Sequence, residues 1–272
     1  DNYDLPQYFN IPVGYRYYSK NAQGENVLLI NPMKDADYYG QKVGAKVELV
    51  DYETAPRAAK AAYDLTDAYE RDVSSYIRGY YFGDNRNTLT IRDEVVLKEQ
   101  SDVYWQMHTK ADIEIKDKHT VILKKDGKLC EASIYCSAAD YSVENMKCEL
   151  LPGSPGLEYS DAARSNDGAR KLAVHIPDAS AGKLTIVVKL SPVRDNYSKS
   201  PIDTNTKIAD WVLPDGEMPK PLCVNAIYFD GKAIENFYPE IYEYTVNLPF
   251  GQETLPEISV DKDADVSVDI YY

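Results

Sequence analysis

The chain has 272 residues, 44% of them hydrophobic and 27% charged, enough to build one large cored domain or a few small ones. Lys and Arg number 30 against 44 Asp and Glu, a net charge of -14 that disfavours nucleic acid or an anionic membrane surface as partner. No run is apolar for the length of a membrane-crossing helix and no N-terminal signal segment is evident, so the chain reads as soluble, without membrane insertion. Tyrosine is the compositional oddity, at 24 residues against 5 Phe and 2 Trp. It suits half-buried strands, and its ring can also stack on a sugar while the hydroxyl stays wet.

In chain order the segments read as strand after strand. Val27 to Ile30 is a short apolar run ending at Asn31-Pro32, and Ala45 to Val50 alternates as a half-solvated strand does. Thr54 to Arg71 is the exception: its alanines favour helix by intrinsic propensity, while its surroundings favour strand, and the residues leave both open. Asn87 to Lys98 and Val103 to Ile115 carry β-branched and aromatic residues at period two. Val121 to Leu123 and Leu129 to Tyr135 flank Asp126-Gly127, a hairpin signature because both turn positions need positive φ. Lys171 to Ile176 and Lys183 to Leu190 read as a further antiparallel pair around a Gly-containing turn. Cys130 and Cys136 fall on one face of one strand, too far apart to bond each other at ~3.3 Å per residue. Cys148 and Cys223 could pair with either, and free buried thiols are the default.

Ser191 to Pro221 holds Pro192, Pro201, Pro214, Pro219 and Pro221, which interrupts any regular sheet. The expected organisation is therefore a β-sandwich region over 1–190, a proline-rich linker over 191–221 and a small module over 222–272 that may be cut short. In that module Val224 to Phe229, Tyr242 to Leu248, Ile258 to Val260 and Val266 to Ile270 read as strands, with a turn at Asp230-Gly231. Asp261, Asp263 and Asp265 alternate like a calcium loop, but no turn glycine or closing Glu follows, which excludes an EF-hand. His108, His119 and His175 sit in strand or turn contexts without partners at ligand spacing, and no phosphate-loop, dinucleotide, serine-hydrolase or zinc-protease motif occurs.

Several segments resemble the C-terminal β-sandwich part of the heparinase II/III family of polysaccharide lyases: DNYDLPQYF from Asp1, YRYYSKNAQGENVLLINP from Tyr15, AYDLTDAY from Ala62, RDEVVLKEQSDVYWQMHTKADIEI from Arg92, and RKLAVHIPDASAGKLTIVVKLSP from Arg170. The last fifty or so residues resemble Ig-like or cadherin-like modules of secreted bacterial glycan enzymes, through Asp230-Gly231-Lys232, Phe237-Tyr238-Pro239 and the Tyr244 to Gly251 run. The resemblance implies an all-β fold of antiparallel β-sandwich layers plus a small Ig-like module. It also implies a bacterial, secreted or cell-surface setting and a parent protein that cleaves a uronate-containing polysaccharide by β-elimination. In the family the principal catalytic Tyr and His precede the matched region, on an upstream (α/α) toroid. This chain is therefore expected to carry no catalytic residue and to act as the non-catalytic wall of the cleft. A stand-alone carbohydrate-binding or adhesion protein is the alternative.

Within that resemblance six residues stand out. Tyr15, Arg16, Tyr17 and Tyr18 form an aromatic-basic cluster in which Arg16 could pair with a uronate carboxylate and a tyrosine ring could stack on a sugar. Asn26 is counted with them as a substrate contact. Glu25 stands where the family has a zinc-binding His, so it is the candidate metal ligand, zinc being implied for the full-length parent only. The acidic balance favours a lightly sulfated uronate polymer over a heavily sulfated one.

Overall fold

The computed structural model describes residues 6–10, 13–32, 40–154, 166, 168–195, 197–218, 224–235, 237–238, 247, 251, 254–263, 268 and 270. The chain divides into two compact units, Asp1–Glu217 and Met218–Tyr272. Among the described residues every helical element is a 3-10 turn of three or four residues. No helix there is long and apolar enough to cross a membrane.

The first unit is two antiparallel sheets. The smaller contains β1 (Leu28–Ile30), β6 (Ser101–Thr109), β11 (Arg170–Ala179) and β10 (Ser142–Lys147), adjacent in that order. The larger runs β2 (Glu48–Ala55), β3 (Ala58–Asp64), β4 (Val73–Gly83), β5 (Thr88–Leu97), β12 (Gly182–Val193), β9 (Lys128–Cys136), β8 (Thr120–Lys125) and β7 (Asp112–Asp117). Alternation puts Leu28, Ile30, Val103, Trp105, Leu172, Val174 and Ile176 of the smaller sheet into one core with Tyr76, Val95, Leu97, Ile134, Leu184, Ile186 and Val188 of the larger. The core also holds an ion pair. Asp93 and Arg78 meet through Oδ1–Nε at 2.6 Å and Oδ2–Nη2 at 3.0 Å, and the Tyr76 hydroxyl donates to Asp93 Oδ1 at 2.8 Å.

The Asp126-Gly127 hairpin forms as expected. Both residues have positive φ, 50° and 72°, and Lys125 pairs with Lys128. One open choice is decided and two expectations are corrected. The alanine-rich stretch is strand up to Asp64, followed by a 3-10 turn at Asp67–Tyr69, because β3 is held between β2 and β4 and buries Ala58 and Ala62, so tertiary pairing overrides helix propensity. Val103 to Ile115 is two strands, β6 and β7, which belong to different sheets. Lys171 to Ile176 and Lys183 to Leu190 lie in β11 and β12, which also sit in opposite sheets. β11 pairs with β6 and β10, β12 with β5 and β9, and an irregularity between Ile176 and Ala179 precedes the crossing.

The proline-rich stretch also departs from expectation, since to Glu217 it belongs to the first unit. It folds back as a strap on the outer face of the larger sheet: Ile208 N donates to Glu94 Oε1, Lys60 Nζ to the Trp211 carbonyl and Tyr81 to the Val212 carbonyl. Cys130, Cys136 and Cys148 are free thiols, each held above its usual pKa first by burial. Cys223 lies outside the described residues, as do Asp1 to Leu5.

In the second unit β13 (Val224–Phe229) is flanked by β14 (Lys232–Ala233) and β15 (Ile258–Lys262), all antiparallel. The Asp230-Gly231 turn again has two positive φ values, 48° and 74°. The strands expected at Tyr242 to Leu248 and Val266 to Ile270 lie outside the described residues except for Asn247, Val268 and Ile270.

Candidate functional site

The segment expected to contact substrate is a run of 3-10 turns, Val13–Arg16, Tyr18–Lys20 and Ala22–Gly24, and not a strand of alternating tyrosines. Asn21 sits between the last two, its Oδ1 accepting from Gln23 N at 2.9 Å while its Nδ2 donates to the Tyr15 carbonyl at 3.1 Å. Glycine is required twice here. A Cβ on Gly14 would stand 2.2 Å from the Tyr8 carbonyl oxygen, and one on Gly24 2.1 Å from that of Tyr18. The turns dock on the outer face of the smaller sheet. Gln106 of β6 donates from Nε2 to the Ala22 and Glu25 carbonyls at 2.7 and 2.8 Å, and buried Gln23 accepts from Leu151 N and donates to Ser154.

This docking brings Tyr18 to His108. The Tyr18 hydroxyl lies 2.5 Å from His108 Nε2, while Asn26 Oδ1 accepts from both the backbone N and Nδ1 of His108, at 2.8 and 3.0 Å. With Nδ1 carrying the proton toward Asn26, Nε2 is the acceptor and Tyr18 the donor. Asn26 is itself tied to the core, since its carbonyl accepts from Arg78 Nη1 at 3.0 Å. Lys171 of β11 is the direct cross-strand partner of His108 and is 1% exposed. Its Nζ lies 5.4 Å from the centre of the Tyr18 ring and donates to the Gln23 carbonyl at 3.5 Å.

The electrostatics follow from burial. Desolvation, and then the Lys171 charge, lower His108 from 6.5 to about 4. Desolvation brings Lys171 down to about 8, and it pushes the Tyr18 hydroxyl far above the usual phenol range. His108 and Tyr18 are thus both neutral at physiological pH. The two rings therefore meet as neutral hydrogen-bonding partners, and of the three groups Lys171 is the one brought toward the neutral range. Further along the same face His175 stacks on Tyr104 at 3.9 Å, with Nε2 2.8 Å from Asp102 Oδ1 and Nδ1 3.4 Å from Glu144 Oε1.

Of the expected contact residues, Tyr18 and Asn26 meet around His108. Tyr17 is fully buried and donates to the Pro6 carbonyl at 2.7 Å, a structural anchor. Tyr15 and Arg16 are half-buried. Tyr15 joins Tyr8 and the exposed Phe9 around Lys20, whose Nζ lies 4.7 to 5.8 Å from the three ring centres. Glu25 is exposed, and among the described residues no three His, Cys, Asp or Glu side chains gather as a metal site. The described residues alone therefore do not assemble a zinc site around Glu25. His108, Lys171 and Lys20 were not singled out as contacts from the sequence. The available signal was Gln106 and His108 in WQMHT and Lys171 in RKLAV, on positions opposite those that feed the core.

No family model matches the sequence, and comparison with curated proteins found no match. Solved structures do match. The heparan sulfate lyase HepC from Pedobacter heparinus aligns at 12% identity and TM-score 0.50, over 71% of this chain and 28% of that one. A mutant of that lyase aligns at 11% and 0.50 over the same shares, and a heparinase III chain at 12% and 0.48 over 65% and 24%. The shared feature is the fold. The chain spans less than a third of the length of these structures, 28% of HepC.

Proposed function

We propose that this chain is the non-catalytic β-sandwich portion of a polysaccharide lyase, and that the outer face of its smaller sheet, with the N-terminal turns laid on it, walls a cleft for a uronate-containing polysaccharide. An (α/α) toroid elsewhere in the same protein closes the cleft and performs the β-elimination, and the setting is extracellular or at a bacterial cell surface. The Ig-like terminal module serves as spacer or glycan-binding unit. The fold likeness to a heparan sulfate lyase supports this reading.

The observation that carries it is the Tyr18–His108–Asn26 arrangement. It offers oriented hydrogen-bonding groups, with the His108 ring and the Tyr18 hydroxyl both neutral near pH 7, beside a basic-aromatic rim of Lys20, Tyr15 and Phe9. That local basic character, on a molecule of net charge -14, favours a lightly sulfated polymer.

The test is binding of the purified chain to heparan, chondroitin, alginate and pectin-type polymers, with the ultraviolet absorbance of new unsaturated uronate followed in parallel. Salt-sensitive binding without new absorbance is expected, and Lys20→Ala with Arg16→Ala should weaken it about fivefold or more. Absence of binding to every uronate polymer at low salt overturns the cleft-wall reading. A rise in absorbance overturns the division of labour.

A further inference from the structure

A second site lies on the other sheet. The strap is anchored on the larger sheet by Ile208 and Leu213, 3% and 7% exposed, and by Trp211, whose ring packs against Gly79. A Cβ on Gly79 would stand 2.6 Å from Cη2 and Cζ3 of that ring, so only glycine lets it seat. Between these anchors and Ser200 the strap arches away from the strands and leaves a cavity of about 370 Å³. Its floor is Tyr81, Thr90 and Arg92, one wall is Trp211, and Asp203 and Asp210 stand exposed at the rim. A wider depression of about 860 Å³ shares Tyr81, Asp84, Ser200 and Val212 with it, so the two form an elongated groove.

The chemistry of this groove is specific. Tyr81 and Trp211 meet edge to face, with ring centres 5.5 Å apart, and supply an apolar wall. Arg92, its side chain 5% exposed, donates from Nε to Glu94 and from Nη1 to the Thr204 carbonyl, and among the described residues its Nη2 group has no acceptor. Asp203 Oδ1 is held by the Asn205 and Thr206 amides at 2.9 and 3.0 Å, which orients the carboxylate. Lys189 and Asp84 neutralise each other at 2.9 Å. In the inner cavity the charges that remain are Arg92, itself paired with Glu94, and the Asp203 and Asp210 carboxylates, with Thr88, Thr90 and Thr206 among them, and this disfavours an anionic ligand there. The wider depression adds Lys199, paired with Glu131, and Arg57, which donates to Asn85 and the Asp215 carbonyl. Asp84, Asn85 and Arg86 form the turn between β4 and β5 with φ between 50° and 61°, and this turn places Asp84 on both cavities and Asn85 on the wider one.

We infer that this groove binds a neutral oligosaccharide, with Trp211 and Tyr81 against the C–H face of a sugar ring and Arg92, Asp203 and Asp210 on its hydroxyls. Carboxylate and guanidinium groups take vicinal hydroxyl pairs, and the volume falls in the range of small-molecule sites. The site lies on the sheet opposite to Tyr18 and His108 and does not depend on the cleft-wall reading.

The chain's 2 tryptophans make the test direct, because Trp105 is core-buried at 2% exposure and Trp211 lines the cavity. Titrating the chain with cello-, xylo- and manno-oligosaccharides, and separately with oligogalacturonate, should protect Trp211 emission from acrylamide with the neutral set only. Trp211→Phe should remove the signal. Asp210→Ala, at the exposed rim, should weaken binding about fivefold or more, and Thr90→Phe should abolish it with the thermal midpoint unchanged. The inference is overturned if no neutral oligosaccharide protects Trp211 at millimolar concentration, if oligogalacturonate binds better, or if Asp210→Ala leaves affinity unchanged.

Discussion

The buried Arg78–Asp93 pair joins the core to the candidate site, and removing its carboxylate should disturb both. Asp93 has no exposed surface and accepts three hydrogen bonds, two from Arg78 and one from Tyr76. In Asp93→Asn the guanidinium keeps its charge in the core and faces an amide that returns one acceptor and adds a donor. Breaking one side of a buried ion pair costs about 3–5 kcal/mol, against a domain stability of about 5–15 kcal/mol. Replacing both partners by apolar side chains of similar volume should recover part of that loss, but it leaves the buried Tyr76 hydroxyl without its acceptor, so Arg78→Met with Asp93→Leu is expected above Asp93→Asn and about 1–3 kcal/mol below the parent. The double variant separates the two roles, because Arg78 Nη1 also holds the Asn26 carbonyl at 3.0 Å. Stability should return in part while the tether on Asn26 stays lost, and the His108 midpoint should climb from about 4 toward 6.5. Urea unfolding followed by tryptophan emission reads the first unit, since Trp105 and Trp211 both lie in it. With 3 histidines in the chain, NMR can follow the His108 ring individually. A cost below about 1 kcal/mol for Asp93→Asn, at unchanged denaturant slope, would refute the reasoning.

Other outcomes follow from the same geometry. His108 falls from 6.5 to about 4 in the fold, so on acidification the unfolded chain takes up the proton first. The stability this contributes is complete above pH 6.5 and is lost as pH falls toward 4. The full gap caps the loss at about 3 kcal/mol, and solvent screening of a partly exposed ring brings it to about 1–2 kcal/mol. The difference between parent and His108→Gln in urea midpoints across that range measures it, and a flat difference contradicts the buried neutral ring. Gly79→Ala should push Trp211 off β4, costing about 1–3 kcal/mol and shifting tryptophan emission to the red. Unchanged emission would mean that the strap is not seated there. Gly127→Ala puts a side chain at φ 72° in the β8–β9 turn and should cost about 1 kcal/mol in thermal unfolding with the fold intact by circular dichroism.

The strands and turns were legible because their signals are local. Period-two alternation marks β5, β6 and β12, and Asp126-Gly127 and Asp230-Gly231 announce turns whose positive φ values those residues tolerate. Partnership is not local. β11 and β12 are separated only by Ser180 and Ala181, and the sequence between them looks like a hairpin, yet the chain crosses from one sheet to the other there. Alanine at 58 and 62 reads as helix until the flanking strands that bury it are in place. The candidate site is legible in the same proportion. Tyr18 and Asn26 stand out beside a recognisable segment, whereas His108 and Lys171 become neighbours only through the pairing of β6 with β11. That pairing is not free to vary. A slip of one residue would turn Trp105 and Leu172, 2% and 0% exposed, out of the core, and would send His108 and Lys171 inward. At about 1.5–3 kcal/mol for each large apolar side chain returned to water, the two cost about 3–6 kcal/mol before the burial of charge is counted. The core therefore sets which polar residues share the outer face, and the turns from Val13 to Gly24 then need only one docking, through Gln106 and Gln23, to place Tyr18 on His108.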